Sequence, residues 1–195
     1  MFILGLTGSI GMGKSTTGQM FAGHGCALWD ADAAVHRLYA QGGAAVAPFA
    51  AVFPEAIVDG AVSRPALKEI IGRDPAALKQ IEAIVHPLVG QDRAAFLAQT
   101  KADIVVLDIP LLFETGGESR VDATACVLTD GDTQEARVMA RGTMTRDQFL
   151  SIKAKQLPAD EKCACATYVI PTDTLEEAAA AVQHIVATIR SQLHA

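Results

Sequence analysis

Eight residues, Gly8 to Ser15, read GSIGMGKS and fit the spacing G-x-x-x-x-G-K-[ST]. Each residue type in that pattern has a chemical reason. Gly8, Gly11 and Gly13 let backbone N–H groups curl around a phosphate, with Met12 between them. Lys14 is long enough to reach β- and γ-phosphates, the Ser15 hydroxyl offers a Mg²⁺ coordination position, and Thr16 continues into a helix. The flanks supply the context the pattern needs. Phe2 to Leu6 are apolar and read as a buried strand, while STTGQMFAGHG after Lys14 reads as a helix closed by Gly25. The loop therefore reads as a nucleoside triphosphate site, and the open question is where the terminal phosphate goes.

Two further groups bear on that question. Asp30 and Asp32, in WDAD, stand at the carboxyl end of a second short strand, Cys26 to Asp30, where ligands bind in open α/β sheets. A carboxylate there can take the proton of an attacking hydroxyl; the alternative is that either residue caps the next helix. Arg137 and Arg141 are four apart on a predicted helix and so share a face. Two guanidiniums suit a clamp on a transferring phosphoryl group, and the alternative is a solvated basic face with Glu135 and Arg146 nearby. The chain contains no asparagine, so the Asn-Lys-x-Asp guanine motif of GTPases is absent. A small-molecule kinase, with an acceptor pocket, a carboxylate base and a cationic lid, fits these residues best. A nucleoside or nucleoside-monophosphate kinase and a slow nucleotide-binding switch are the rival readings.

The elements that must hold these residues alternate. ADIVVLDIP (Ala102 to Pro110) is the clearest strand, DATACVLT (Asp122 to Thr129) a fourth and TYVIP (Thr167 to Pro171) a fifth. Helix starts are signalled by Ser63 with Pro65, Asp74 with Pro75, and the capping boxes Thr145/Gln148 and Thr174/Glu177. The last helix carries Val182, Ile185, Val186 and Ile189 on one face. Strands alternating with helices predict a single α/β domain over residues 1–195, with a mostly parallel five-stranded sheet. A helical, Ala-rich insert over about 31–100 and a lid region over about 132–160 complete it.

Composition limits the partners. The chain has 195 residues, half of them hydrophobic, and a formal net charge of −6 without long basic runs. That balance disfavours nucleic acid and anionic membranes, and any phosphate site must concentrate positive charge locally. Cys26, Cys126, Cys163 and Cys165 form no CxxC pair or zinc-like cluster. No apolar run is long enough to span a bilayer. The reading is a cytoplasmic enzyme, monomer or small homo-oligomer, acting on small molecules.

GLTGSIGMGKST (Gly5 to Thr16), DADAAVHRL (Asp30 to Leu38), Arg64 to Leu67, His86-Pro87, Asp108 to Glu114 and QEARVMAR (Gln134 to Arg141), in that order along essentially the whole chain, together resemble the dephospho-CoA kinase family. GLTGSIGMGKST (Gly5 to Thr16) resembles the family's opening, with Ser9 and Met12 where Gly and Ser are more usual. DADAAVHRL (Asp30 to Leu38) resembles its D-A-D segment, Arg64 to Leu67 its R-x-x-L, and His86-Pro87 its HP pair. Asp108 to Glu114 resembles its PLLFE run, Gln134 to Arg141 its lid, and Gln156 on the following helix matches too. The resemblance implies a P-loop kinase fold and transfer of the ATP γ-phosphate to the ribose 3′-hydroxyl of dephospho-CoA, with Mg²⁺. It implies Asp32 as the base, Arg137 and Arg141 as lid residues over ATP, and Asp30, Arg64, His86 and Leu111 in the acceptor site. His86 has a second reading as part of a helix kink. Thr167 and Thr172 depart from the family pattern beside the last strand, where the adenine pocket would lie.

Overall fold

The computed structural model describes residues 1–194. In chain order its elements are β1 (Phe2–Thr7), α1 (Lys14–Gly23), β2 (Ala27–Asp30), α2 (Ala31–Tyr39), α3 (Val46–Val52), β3 (Ile57–Val58), β4 (Ala61–Val62), α4 (Arg64–Arg73) and α5 (Ala77–Gln99). There follow β5 (Ile104–Asp108), β6 (Ala123–Leu128), α6 (Gly131–Ala140), α7 (Arg146–Lys153), α8 (Ala159–Cys165), β7 (Tyr168–Pro171) and α9 (Leu175–Leu193). They separate into two compact units, Met1–Trp29 with the chain from Lys101 onward, and Asp30–Thr100.

The first unit is built on a five-stranded sheet in the order β2-β5-β1-β6-β7, and β1 pairs in parallel with both β5 and β6. β6 and β7 are parallel as well. The α/β expectation holds, and its cause is legible strand by strand. Ile104 to Asp108 are all buried, as a central strand covered on both faces requires. Side chains of β1 alternate between the faces: Leu4 and Leu6 join Phe21 of α1 and Val182, Ile185, Val186 and Ile189 of α9 in one apolar core. A Cβ on Gly5, between them, would stand 2.8 Å from Leu112 on the opposite face. The four α9 side chains are each at most 3% exposed. At about 1.5–3 kcal/mol per fully buried aliphatic chain, that stripe holds the helix down.

Helix ends follow local chemistry. Thr145/Gln148 and Thr174/Glu177 form reciprocal capping boxes, and Asp130 caps α6 through Thr133 N–H at 2.8 Å. Gln156 is not helical: α7 ends at Lys153 and Gln156 lies in the turn beyond it.

The second unit is helical, around a core that includes Tyr39, Phe49, Phe53, Leu67, Ile70, Ile81 and Val85. The Tyr39 and Phe49 rings meet edge to face, centroids 5.5 Å apart. Two details differ from the sequence reading. A two-residue hairpin, β3–β4, turns on Asp59 and Gly60, both at positive φ, within the stretch read as mainly helical. Asp74 closes a turn onto Ala76 N–H at 2.9 Å instead of starting a helix, and α5 begins at Ala77. Ser63 does cap its helix, accepting from Ala66 N–H at 3.3 Å.

Candidate active site

The phosphate loop forms where β1 runs out of partners and α1 begins. Gly11 and Gly13 adopt φ of 81° and 84°, a left-handed conformation that side chains resist, so the chain doubles back within a few residues. Such alternation makes successive N–H groups converge into an anion-binding concavity. The first intrahelical donor of α1 is Thr17, to Gly13 O at 3.0 Å. The N–H groups of Lys14, Ser15 and Thr16 therefore belong to the first helical turn, where the macrodipole carries its positive end. Gly8 and Met12 are buried, while Ser15 and Thr16 are exposed at the helix start.

Lys14 makes an ion pair with Asp108, the last residue of β5, whose side chain is 3% exposed. Asp108 pairs in register with Leu6, so its carboxylate stands at the sheet edge from which the loop springs. The adjoining turn is pinned at the Pro110 carbonyl, which accepts from Thr7 Oγ1 and from Lys162 Nζ, both at 3.1 Å. Lys162 is fully buried and pairs with Glu114 at 2.8 Å. Burial pushes the Glu114 carboxyl up, but the Lys162 and Leu157 hydrogen bonds outweigh it and hold it below its ordinary value. Leu111, next to Pro110, is 42% exposed.

Side chains distant in sequence grip the loop from outside. Gln134 Nε2 donates to Ile10 O at 2.7 Å, and Ile10 N–H donates to Gln156 Oε1 at 3.1 Å. Thr172 Oγ1 donates to Met12 O at 2.9 Å. Arg137 Nη2 in turn donates to the carbonyls of Thr172 and Asp173, at 2.6 and 3.2 Å. Arg137 and Arg141 are thus held differently: Arg137 is fixed on the turn after β7, whereas Arg141 is exposed at the C-cap of α6. Arg146 is paired with Glu135 at 2.5 Å. Thr167, the other departure beside the last strand, exchanges hydrogen bonds with Thr124 and so staples β7 to β6.

In the second unit, Asp30 is the N-cap of α2 and accepts from Ala33 N–H at 2.9 Å. Asp32 is exposed in the first turn of the same helix. Arg64 lies over the Tyr39 ring at 5.8 Å, a cation–π contact. His86 is exposed on α5, which runs through Pro87.

Sequence reasoning placed Asp108 and Gln134 only within family-like runs and Thr172 only as a departure beside the adenine pocket; it gave none of them a hold on Lys14 or the glycine loop. Asp108 carried a local signal, a carboxylate ending the most β-branched strand. Gln134 and Thr172 act on residues 124 and 160 positions away, a relation no local pattern carries.

Comparison with known proteins agrees with this geometry. The family model for dephospho-CoA kinase (CoaE) matches residues 2–177. A curated dephospho-CoA kinase from Ruegeria pomeroyi is 67% identical over 195 residues, covering 100% of this chain and 99% of the relative. One from Cereibacter sphaeroides is 57% identical, over 97% of this chain and 96% of the relative. The crystal structure of TT1252 from Thermus thermophilus superposes with a TM-score of 0.86 at 35% identity, over 96% of each chain. Dephospho-CoA kinase from Campylobacter jejuni, at 20% identity and a TM-score of 0.68, shares the fold. With a glycine loop, a lysine held on a strand-end aspartate, and a family match that runs through nearly every element, the chain belongs to the dephospho-CoA kinase family.

Proposed function

We propose that this chain transfers the γ-phosphoryl group of ATP to the ribose 3′-hydroxyl of dephospho-CoA, giving coenzyme A and ADP. The observation that carries the reading is Lys14, held on Asp108 at the mouth of the glycine loop. A cation so placed can exchange its carboxylate for the β- and γ-phosphates, and the Gly11, Gly13 and Lys14 amides then receive the remaining oxygens.

Magnesium fits the residues present. Its preferred ligands are hard oxygens, and the Ser15 hydroxyl and Asp108 carboxylate are of that kind. Nucleotide phosphates and water would supply the remaining ligands, as Mg²⁺ commonly takes one or two protein oxygens beside them. When bound, Mg²⁺ neutralises charge on the phosphates. Asp32 accepts the proton of the 3′-hydroxyl as its oxygen attacks phosphorus, while the bond from phosphorus to the ADP oxygen breaks. Arg137 and Arg141 supply cations over the phosphates, Arg137 from a guanidinium that also holds the turn after β7. Asp30, Arg64, His86 and Leu111 contact the acceptor, and Asp30, as the N-cap of α2, also orders the helix that carries Asp32. Residues 31–100 serve as the acceptor-binding insert and 132–160 as the lid.

The same reading has the enzyme work in the cytoplasm as a monomer or small homo-oligomer. The net charge of −6 argues against a nucleic-acid partner. No described helix is long and apolar enough to cross a membrane.

Variant kinetics test the assignments. Lys14→Ala and Asp32→Asn should each lower turnover about a hundredfold or more, and Asp32→Asn should leave ADP affinity unchanged. Near-native turnover in Asp32→Asn would remove the base from Asp32.

A further inference from the structure

We propose that Gln134 and Thr172 are positioning residues of the nucleotide site, each turning one amide of the glycine loop toward the phosphates. The proposal rests on reading the loop as the ATP site and concerns what two side chains do to the loop itself. Gln134 Nε2 holds the Ile10 carbonyl at 2.7 Å, and Thr172 Oγ1 holds the Met12 carbonyl at 2.9 Å. Both peptides are trans, and in a trans peptide the C=O and the following N–H point in opposite directions. A carbonyl anchored on the outside of the loop therefore sends the next amide to the inside: Gly11 N–H for Gln134, Gly13 N–H for Thr172. Those two glycines are the ones with positive φ, the conformation that makes N–H groups converge. If either peptide turned over, a carbonyl oxygen would face the phosphates in place of a donor.

The surroundings agree. Ile10 N–H is occupied by Gln156 Oε1, so that residue is held through both its donor and its acceptor. Thr172 is 5% exposed, its backbone N–H donates to Leu128 O at 2.8 Å, and Arg137 grips its carbonyl. Its hydroxyl has two carbonyls within reach, Met12 O at 2.9 Å and Leu128 O at 3.1 Å, and from this fixed base its single proton goes to the shorter contact, Met12. Gln134 is fully buried, and its Oε1 has no hydrogen-bond partner among the described residues. A methionine would fill the same space without an orphaned oxygen. What an amide offers there is the Nε2 donor, and that donor is spent on the loop.

The test uses full-length protein and ADP with Mg²⁺, measured by calorimetry and by ¹H–¹⁵N spectra of Gly11 and Gly13. Thr172→Val, which keeps the shape and removes the hydroxyl, should weaken ADP binding about tenfold, the worth of one well-placed hydrogen bond. Thr172→Ser should restore it, and dephospho-CoA affinity should not move. ADP should shift the Gly13 amide resonance strongly in the native protein and weakly in Thr172→Val; Gln134→Met should do the same at Gly11. Native ADP affinity with unchanged Gly11 and Gly13 shifts in both variants overturns the proposal. Should Thr172→Val not fold, Gln134→Met reads the same claim, and an unchanged Gly11 shift there overturns it. ADP that fails to bind the native protein would sink the nucleotide reading as well; ADP that binds every variant alike sinks the positioning alone.

Discussion

Replacing Glu114 by Gln keeps the shape of the side chain and one acceptor oxygen but deletes its charge, and Lys162 should register the loss. The Lys162 side chain is 0% exposed, with its Nζ 2.8 Å from Glu114 Oε1 and 3.1 Å from Pro110 O. At that separation and an effective dielectric of 20, the attraction is about 6 kcal/mol. The amide oxygen of glutamine recovers part of it, while the desolvation cost of the ammonium remains. Removing one partner of a buried pair typically costs about 3–5 kcal/mol, and the retained acceptor puts Glu114→Gln near about 3. For a chain of this size that lowers the melting temperature by about 6–12 °C. The reverse change is milder. In Lys162→Met the surviving carboxylate is 18% exposed and keeps the Leu157 N–H at 2.9 Å, so water and an amide can serve it. Its cost should be about 1–2 kcal/mol, and the double variant should resemble Lys162→Met alone. Thermal melts by circular dichroism at neutral pH read all three. A loss in Lys162→Met equal to or larger than that in Glu114→Gln would refute the reasoning, because the buried charge would then not be what Glu114 neutralises.

Other outcomes follow from single contacts. In Gly11→Ala the new Cβ would lie 2.5 Å from Val138 Cγ2 and 2.9 Å from Gln134 O at a φ of 81°, so ADP affinity measured by calorimetry should fall at least about tenfold; native affinity would mean the loop relaxes freely. Asp108→Asn should raise the Mg²⁺ concentration for half-maximal turnover about tenfold, and an unchanged Mg²⁺ titration would take Asp108 out of the metal shell. The folded-state carboxyls of Glu114 and Asp103 lie below their ordinary values, Asp103 chiefly through its hydrogen bond from Arg190. A depressed carboxylate pKa adds stability that is present above the unfolded value, about 4, and lost as pH falls through the folded one. Melting temperature should therefore hold steady from neutrality to about pH 5 and drop below about pH 4, less steeply in Glu114→Gln. A melting curve flat through that acid range would contradict both pairings.

What the sequence made legible was local. The glycine loop, the β-branched run of Ile104 to Asp108 and the capping boxes at Thr145 and Thr174 each need only residues within a few positions. The same locality explains the errors. Ser63-x-Pro65 and Asp74-Pro75 look alike, yet the Asp74 carboxylate reaches Ala76 N–H two residues on and makes a turn, while Ser63 reaches the third and caps a helix. The Asp59-Gly60 hairpin carried its usual turn signal but only two residues per strand, too few for an alternating pattern. Arg137 and Arg141 share a helical spacing that a short window shows, which is no error; that Arg137 also donates to two carbonyls of the turn after β7 is a distant contact the window does not hold. Thr172 is the plainest case. Its role depends on β7 arriving beside the glycine loop, which the parallel pairing with β6 brings about and no window around residue 172 contains.

The central claim is the fate of the γ-phosphate, and direct transfer tests it. Mg²⁺ATP would be incubated with dephospho-CoA, with a panel of nucleosides and with water alone, and products identified by mass and by the position of the new phosphate. The expected product is one phosphoryl group heavier, on the ribose 3′-oxygen, and arises only from dephospho-CoA. ATP consumed with dephospho-CoA unmodified, or a phosphorylated nucleoside in its place, would contradict the account.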